Sequence, residues 1–131
     1  MKKLDEDLAA RFFKVLGQPA RIQILFVIGD GEACVCHLEA FLGLRQAAIS
    51  QHLILLRKAG LVETQRDGRN IYYRLARPDI LDLLKDAVRL AGLDPAAFVK
   101  AGAAPLLPCP CPHCNPEHES GFDCSHIHPV P

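Results

Sequence analysis

The sequence lacks any long apolar run. No window approaches the roughly 18 consecutive apolar residues of a membrane-spanning helix, so we expect no membrane segment. The first seven residues are too polar for a secretory signal peptide, and no apolar stretch follows them. These two absences predict a cytoplasmic protein.

The sequence also lacks the residue arrangements that enzymes use. We find no paired nucleophile and base, no glycine-rich loop that would cradle a phosphate, and no residues that define a substrate pocket. We therefore expect a protein that is not an enzyme.

The chain has no net charge, but its charges are unevenly placed. Residues 1–78 hold 12 Lys and Arg against 8 Asp and Glu, whereas residues 79–131 hold 3 against 7. Residues 45–77 are the most basic, with 7 against 2. A basic stripe within a neutral protein is typical of a nucleic-acid-binding surface.

Residues 1–92 are predicted to form a mainly α domain with a small β-hairpin. Apolar periodicity, with glycine and proline at the boundaries, predicts five helices. They span residues 4–16, 19–28, about 34–42, 45–59 and 79–91. Two β-prone runs, residues 61–66 and 70–75, flank Asp67-Gly68-Arg69, which is a strong hairpin signal. This order of elements predicts a winged helix-turn-helix.

The helix predicted over residues 45–59 is the candidate DNA-recognition helix. On a helical wheel its inward arc collects Ala48, Ile49, His52, Leu53, Leu55, Leu56 and Ala59. The outward arc collects Gln46, Ala47, Ser50, Gln51, Ile54, Arg57 and Lys58, and it contains no acid. Gln and Ser beside cations can read base edges while gripping phosphates. We interpret His52 as a packed, hydrogen-bonded histidine rather than a metal ligand.

The last predicted helix carries more apolar surface than one small core needs. Together with the first helix, we expect it to form a homodimer interface. From residue 93 the composition changes, and eight of the ten prolines lie at or beyond Pro95. We expect a short helical turn over residues 96–100 and, from residue 105, a segment without regular structure unless a ligand orders it. Residues 93–131 are thus predicted to be a proline-rich linker and a Cys/His-rich metal-binding tail.

Six cysteines without a secretion signal argue against a disulfide framework and suggest metal or redox chemistry. Thiolates are soft donors that prefer thiophilic ions to Mg²⁺ or Ca²⁺. Cys34 and Cys36 form one group, and the tail holds Cys109, Cys111, Cys114 and Cys124 beside His113, His118, His126 and His128. The Cys111-x-x-Cys114 spacing is a familiar half of a zinc site.

Residues 16–75 resemble the ArsR/SmtB family of metal-responsive bacterial repressors. The matching segments are LGQPARIQIL, GEACVCHLEAFLGLRQAAISQHLILLRKAGLV and RDGRNIYYRL. The resemblance implies a homodimer that binds operator DNA and is released by a ligand. By position it implies base contacts from Gln46, Ala47, Ser50 and Gln51, and phosphate contacts from Arg69 and Arg74. Arg45 stands where the family usually has a Ser or Thr helix cap, and Ile54 where a polar residue is usual.

The resemblance also implies that the Cys34 and Cys36 thiolates bind arsenite, antimonite, cadmium, lead or zinc. Two ligands are too few, since arsenite favours three thiolates and zinc four ligands. The further cysteine that some family members have three residues after the pair is absent, because Glu39 occupies that position. We favour completion of the site by Cys109, Cys111 or Cys114, with a separate tail site for zinc or copper as the alternative. The role of His37 stays open.

Two other functions remain in view. The DNA-binding protein could respond to an oxidant or a sulfide, through a disulfide or polysulfide on Cys34 and Cys36. Alternatively, the chain could buffer metal through its tail, although the basic recognition helix and wing argue against that function.

Overall fold

The computed structural model describes residues 3–68 and 70–98. It confirms the mainly helical architecture with a small hairpin, and each element begins and ends within one residue of the prediction. In chain order the elements are α1 (Lys3–Leu16), α2 (Pro19–Ile28), α3 (Val35–Leu42), α4 (Gln46–Lys58), β1 (Val62–Asp67), β2 (Asn70–Leu75) and α5 (Asp79–Leu90). None of the helices in this range is long and apolar enough to cross a membrane.

Helix α2 lies at the centre of the fold. Its apolar run covers all sides of the helix rather than one stripe, and residues 24–28 are all buried. This burial is possible because α2 packs against α1, α3, α4, α5 and β2. Fully burying a leucine or isoleucine side chain contributes roughly 1.5–3 kcal/mol, so α2 anchors the elements that carry the functional residues.

The turn between α3 and α4 depends on Gly43. Its backbone is left-handed, with φ of 66°, and its N–H donates to the Glu39 carbonyl at 2.9 Å. A side chain there would be strained at this φ, which explains the glycine. Helix α4 then begins at Gln46 after an extended Arg45, which makes no side-chain cap hydrogen bond.

The wing is an antiparallel hairpin whose closing pair is Asp67 and Asn70. Gly68 has φ of 62°, as a two-residue turn of this kind requires. On its other edge β2 pairs with Ala33, just before α3. The Ala33 N–H donates to the Tyr73 carbonyl at 3.0 Å, and the Tyr73 N–H donates to the Ala33 carbonyl at 2.8 Å. These two hydrogen bonds therefore join the segment just before α3 to the wing.

After α5 the chain returns to the core. Residues 95–98 are helical, which confirms the predicted helical turn as far as Phe98. The Phe98 ring stacks on Phe26 of α2 with centroids 4.9 Å apart. The predictions for residues 99–131 lie outside the described residues.

Candidate nucleic-acid interface and thiol site

Helix α4 turns most of the predicted inward arc to the core, but not all of it. Its buried residues are Ile49, Leu53 and Leu56, as expected. However, Leu55 and Ala59 are exposed, so their assignment to the inward arc was wrong. Helix α4 packs against α2, α3 and the wing strand β1. Ala47, Gln51, Leu55 and Lys58 form an exposed stripe along α4.

Gln46 and Ser50, two of the predicted base-reading residues, lie at the edge of this exposed stripe. Both are partly buried, whereas Ala47 and Gln51 are exposed. The Gln46 amide nitrogen is buried and has no hydrogen-bond partner among the described residues. A buried N–H donor without a hydrogen-bond partner costs free energy. A hydrogen-bond acceptor at the start of the recognition helix would therefore stabilise the Gln46 amide.

The last turn of α4 carries the predicted phosphate-binding residues Arg57 and Lys58, and both are exposed. With Leu53, Ile54 and Tyr73 they line a mostly apolar hollow of about 320 Å³ between α4 and the wing. Ile54, placed on the outward arc by the sequence, is partly buried here. Burial raises the pKa of Tyr73, and the Arg57 cation opposes that rise. Tyr73 thus connects the wing to the recognition helix.

Arg74, another predicted phosphate contact, is engaged within the wing. Its guanidinium pairs with Glu63 at 2.6 Å and donates to the Gln65 side chain at 2.6 Å. Glu63 lies directly opposite Arg74 in the hairpin register. Arg66 is an exposed wing cation on β1, whereas Arg69 lies outside the described residues.

His52 is partly buried and hydrogen-bonded, as predicted. Its Nδ1 accepts a hydrogen bond from the Arg21 Nε at 3.1 Å. Burial, and secondarily the Arg21 cation, lower the pKa of His52 below its usual 6.5. Sequence patterns missed this contact because the two residues are 31 positions apart.

Cys34 and Cys36 lie at the start of α3, where both are buried thiols. Cys34 is the helix cap, and its Sγ accepts a hydrogen bond from the His37 N–H at 3.4 Å. Among residues 3–68 and 70–98, no three His, Cys, Asp or Glu side chains are grouped closely enough to hold a metal ion. Further ligands would have to come from elsewhere, and Cys109, Cys111, Cys114 and Cys124 lie outside the described residues.

The two helices predicted to form the dimer interface expose large apolar side chains. On α1, Leu8 and Phe13 are exposed, and on α5, Leu83, Ala87 and Leu90 form an exposed apolar stripe. The buried stripe of α5, which includes Leu81 and Leu84, faces the core instead. Helix α5 therefore has two apolar stripes, of which only one is used within the protomer.

The chain is similar in sequence to known bacterial transcriptional regulators. Residues 18–64 match the family profile of bacterial regulatory proteins of the arsR family. The repressor SmtB of Mycobacterium tuberculosis is 38% identical over 88 residues, which cover 67% of this chain and 65% of SmtB. The biofilm growth-associated repressor of Agrobacterium fabrum is 41% identical over 65% of this chain and 72% of its own length. The chain thus spans slightly less than two thirds of SmtB.

A solved structure extends the similarity to three dimensions. The homodimeric winged helix-turn-helix DNA-binding domain from Mycobacterium bovis has a TM-score of 0.60 and 34% sequence identity. The match covers 66% of this chain and 80% of that domain.

Proposed function

The chain belongs to the ArsR/SmtB family of winged helix-turn-helix transcriptional regulators, and from that premise we propose that it is a metal- or metalloid-released repressor. It binds operator DNA as a homodimer. It leaves the DNA when thiolates including Cys34 and Cys36 bind a thiophilic ion. The observation that carries this proposal is the position of the Cys34-x-Cys36 pair, which begins α3 immediately before the helix-turn-helix and adjoins the wing.

The exposed stripe of α4 is the surface we assign to the major groove. Gln51 and Ala47 lie at its centre, and Gln46 and Ser50 at its edge. Arg57, Lys58 and the wing arginines, Arg69 among them, act on phosphates, which fix position without reading sequence. A two-fold dimer presents one such helix to each half-site, about one helical turn apart.

The switch acts through the start of α3. Because Cys34 and Cys36 are buried, an ion reaches both thiolates only if this segment opens. Opening releases the Cys34 cap and strains the backbone pairing of Ala33 with Tyr73. Tyr73 lines the hollow beside Leu53 and Arg57, so the disturbance passes to the wing and the recognition helix.

The free energy that metal binding must supply to release the DNA indicates how many ligands the ion needs. Shifting DNA occupancy from 99:1 to 1:99 needs a differential affinity of about 5.5 kcal/mol. Two thiolates per protomer form a weak site, so we assign Cys109, Cys111 or Cys114 as the further ligands. A separate tail site, including Cys124, is the competing arrangement.

The test is a titration of the reduced, full-length protein with Cd²⁺ or arsenite while operator occupancy is followed by fluorescence anisotropy. Thiolate-to-metal absorption should rise as DNA is released. A variant with Ser at all four tail cysteines should bind metal more weakly and stay on DNA at metal concentrations that release the wild type. An undiminished response from that variant would refute the shared site.

Two further arms separate the other functions. Release by an oxidant or polysulfide, with no release by metal, would establish the redox alternative. Metal binding by a protein that never binds a duplex specifically would establish a buffering function.

A further inference from the structure

Arg21 joins three helices at one point. It lies on α2, its Nη1 donates to the Val15 carbonyl at the end of α1 at 3.0 Å, and its Nε donates to His52 on α4 at 3.1 Å. His52 lies in the middle of α4, immediately after the exposed Gln51. The recognition helix is thus tied to α2 on the side away from the wing.

We propose that Arg21 and His52 are positioning residues for DNA recognition, and that specific operator binding requires a neutral His52. The inference rests on the proposed DNA-binding function. The wing fixes one side of α4 through Tyr73, and the Arg21–His52 hydrogen bond fixes the other. Loss of that bond leaves α4 free to roll, which moves Gln51 and Ala47 relative to the base edges.

The protonation requirement follows from the donor and acceptor roles. Arginine has only N–H donors, so His52 accepts only while its Nδ1 carries no proton. A proton on Nδ1 would turn His52 into an imidazolium. Two N–H donors and two positive charges, those of Arg21 and His52, would then face each other across the 3.1 Å that the hydrogen bond now spans. Burial lowers the pKa of His52 below 6.5, so its imidazole is mostly neutral near pH 7.

No other described charge compensates an imidazolium at this position. Helix α4 packs against α2, α3 and β1, and of the charged groups on these elements Arg21 alone perturbs His52. The ion pairs found in the described part of the chain involve Arg74, Arg77 and Arg89 rather than Arg21. Within residues 3–68 and 70–98, the Arg21 cation therefore has no carboxylate to share with a protonated His52.

The experiment measures the affinities for operator and for random duplex between pH 5.5 and 8, at constant ionic strength and without metal. Added protons raise the positive charge of the protein and strengthen random binding. Loss of the Arg21–His52 bond weakens operator binding. We expect the ratio of operator to random affinity to fall towards pH 5.5, by at most about tenfold, because the pKa of His52 lies below 6.5 and only part of the imidazole gains a proton in this range.

Two variants isolate the contact. In His52→Asn the amide oxygen takes the place of Nδ1 and accepts from Arg21 without titrating, so the ratio should stay near its wild-type pH 8 value throughout. Arg21→Lys keeps the charge but cannot donate to His52 and Val15 in the same geometry, so its ratio should be low at every pH. Circular dichroism at each pH confirms that the compared proteins are folded, and His37→Gln controls for a second histidine.

The outcomes are distinct. A wild-type ratio that does not change while NMR shows the His52 imidazole gaining its proton, or a His52→Asn ratio that falls as steeply as that of the wild type, would overturn the positioning role. A wild-type protein that fails to prefer any operator even at pH 8 would overturn the proposed function, and this inference with it.

Discussion

The substitution Leu90→Ala on α5 is expected to weaken the proposed homodimer strongly. Leu90 is 90% exposed in the protomer and lies on the apolar stripe with Leu83 and Ala87. The change removes three carbons at about 0.8 kcal/mol for each buried CH₂, which is about 2.4 kcal/mol per protomer. A two-fold axis places the residue in the interface twice, so the cost is about 5 kcal/mol, or about 3,000-fold in Kd.

Sedimentation equilibrium of the reduced, metal-free protein over a wide concentration range measures this constant. The protomer should remain folded, because Leu90 contributes almost nothing to the core, and circular dichroism checks that point. Leu55→Ala is the matched control, since it makes the same chemical change at an exposed position on α4. An unchanged dimer constant for Leu90→Ala, or an equal loss in the control, would refute the assignment of this stripe to the interface.

Three further predictions concern DNA binding and stability. Gln51→Ala should cost about 1–3 kcal/mol of operator affinity and little for random duplex, measured by anisotropy, with a smaller loss for the partly buried Gln46→Ala. Lys58→Ala should reduce the slope of log affinity against log salt by about one, whereas Arg74→Ala should reduce it less, because Glu63 already pairs with Arg74. Since the pKa of His52 is lowered on folding, its neutral form contributes stability that is fully present above pH 6.5 and is lost as the pH falls below that value towards the folded-state pKa. Urea unfolding should therefore show that the free energy of unfolding decreases more between pH 7.5 and pH 5.5 for the wild type than for His52→Asn. Equal decreases would contradict this reasoning.

The element order was predictable because the local signals agree with the tertiary structure. Gly43 supplies the left-handed turn between α3 and α4, and the turn that begins at Gly68 follows the closing pair of the wing, Asp67 and Asn70. That same turn sets the hairpin register, so the pairing of Glu63 with Arg74 could have been read from the sequence. The prediction that Arg74 contacts phosphate remains to be tested against this competing ion pair.

The extent of the core face of α4 was not predictable from the residues of α4 alone. The wheel weighted Leu55 and Ala59 as apolar and therefore inward, but the core face is set by what α2 and the wing present to α4. The Arg21–His52 bond has the same origin, because it joins residues on different helices without a local pattern. The thiol pair was found from its spacing, yet its burial and the pairing of Ala33 with Tyr73 appear only in the folded chain.

The most direct test of the metal-sensing function compares the wild type with the Cys34→Ser/Cys36→Ser double variant. Both reduced proteins are held on operator DNA and titrated with the same thiophilic ion, while anisotropy reports occupancy. Serine preserves size but replaces a soft thiolate with a weak neutral donor. The wild type should leave the DNA as thiolate absorption rises, and the double variant should stay bound. Release of the double variant at the wild-type metal concentration would contradict the assignment of Cys34 and Cys36 as the sensor.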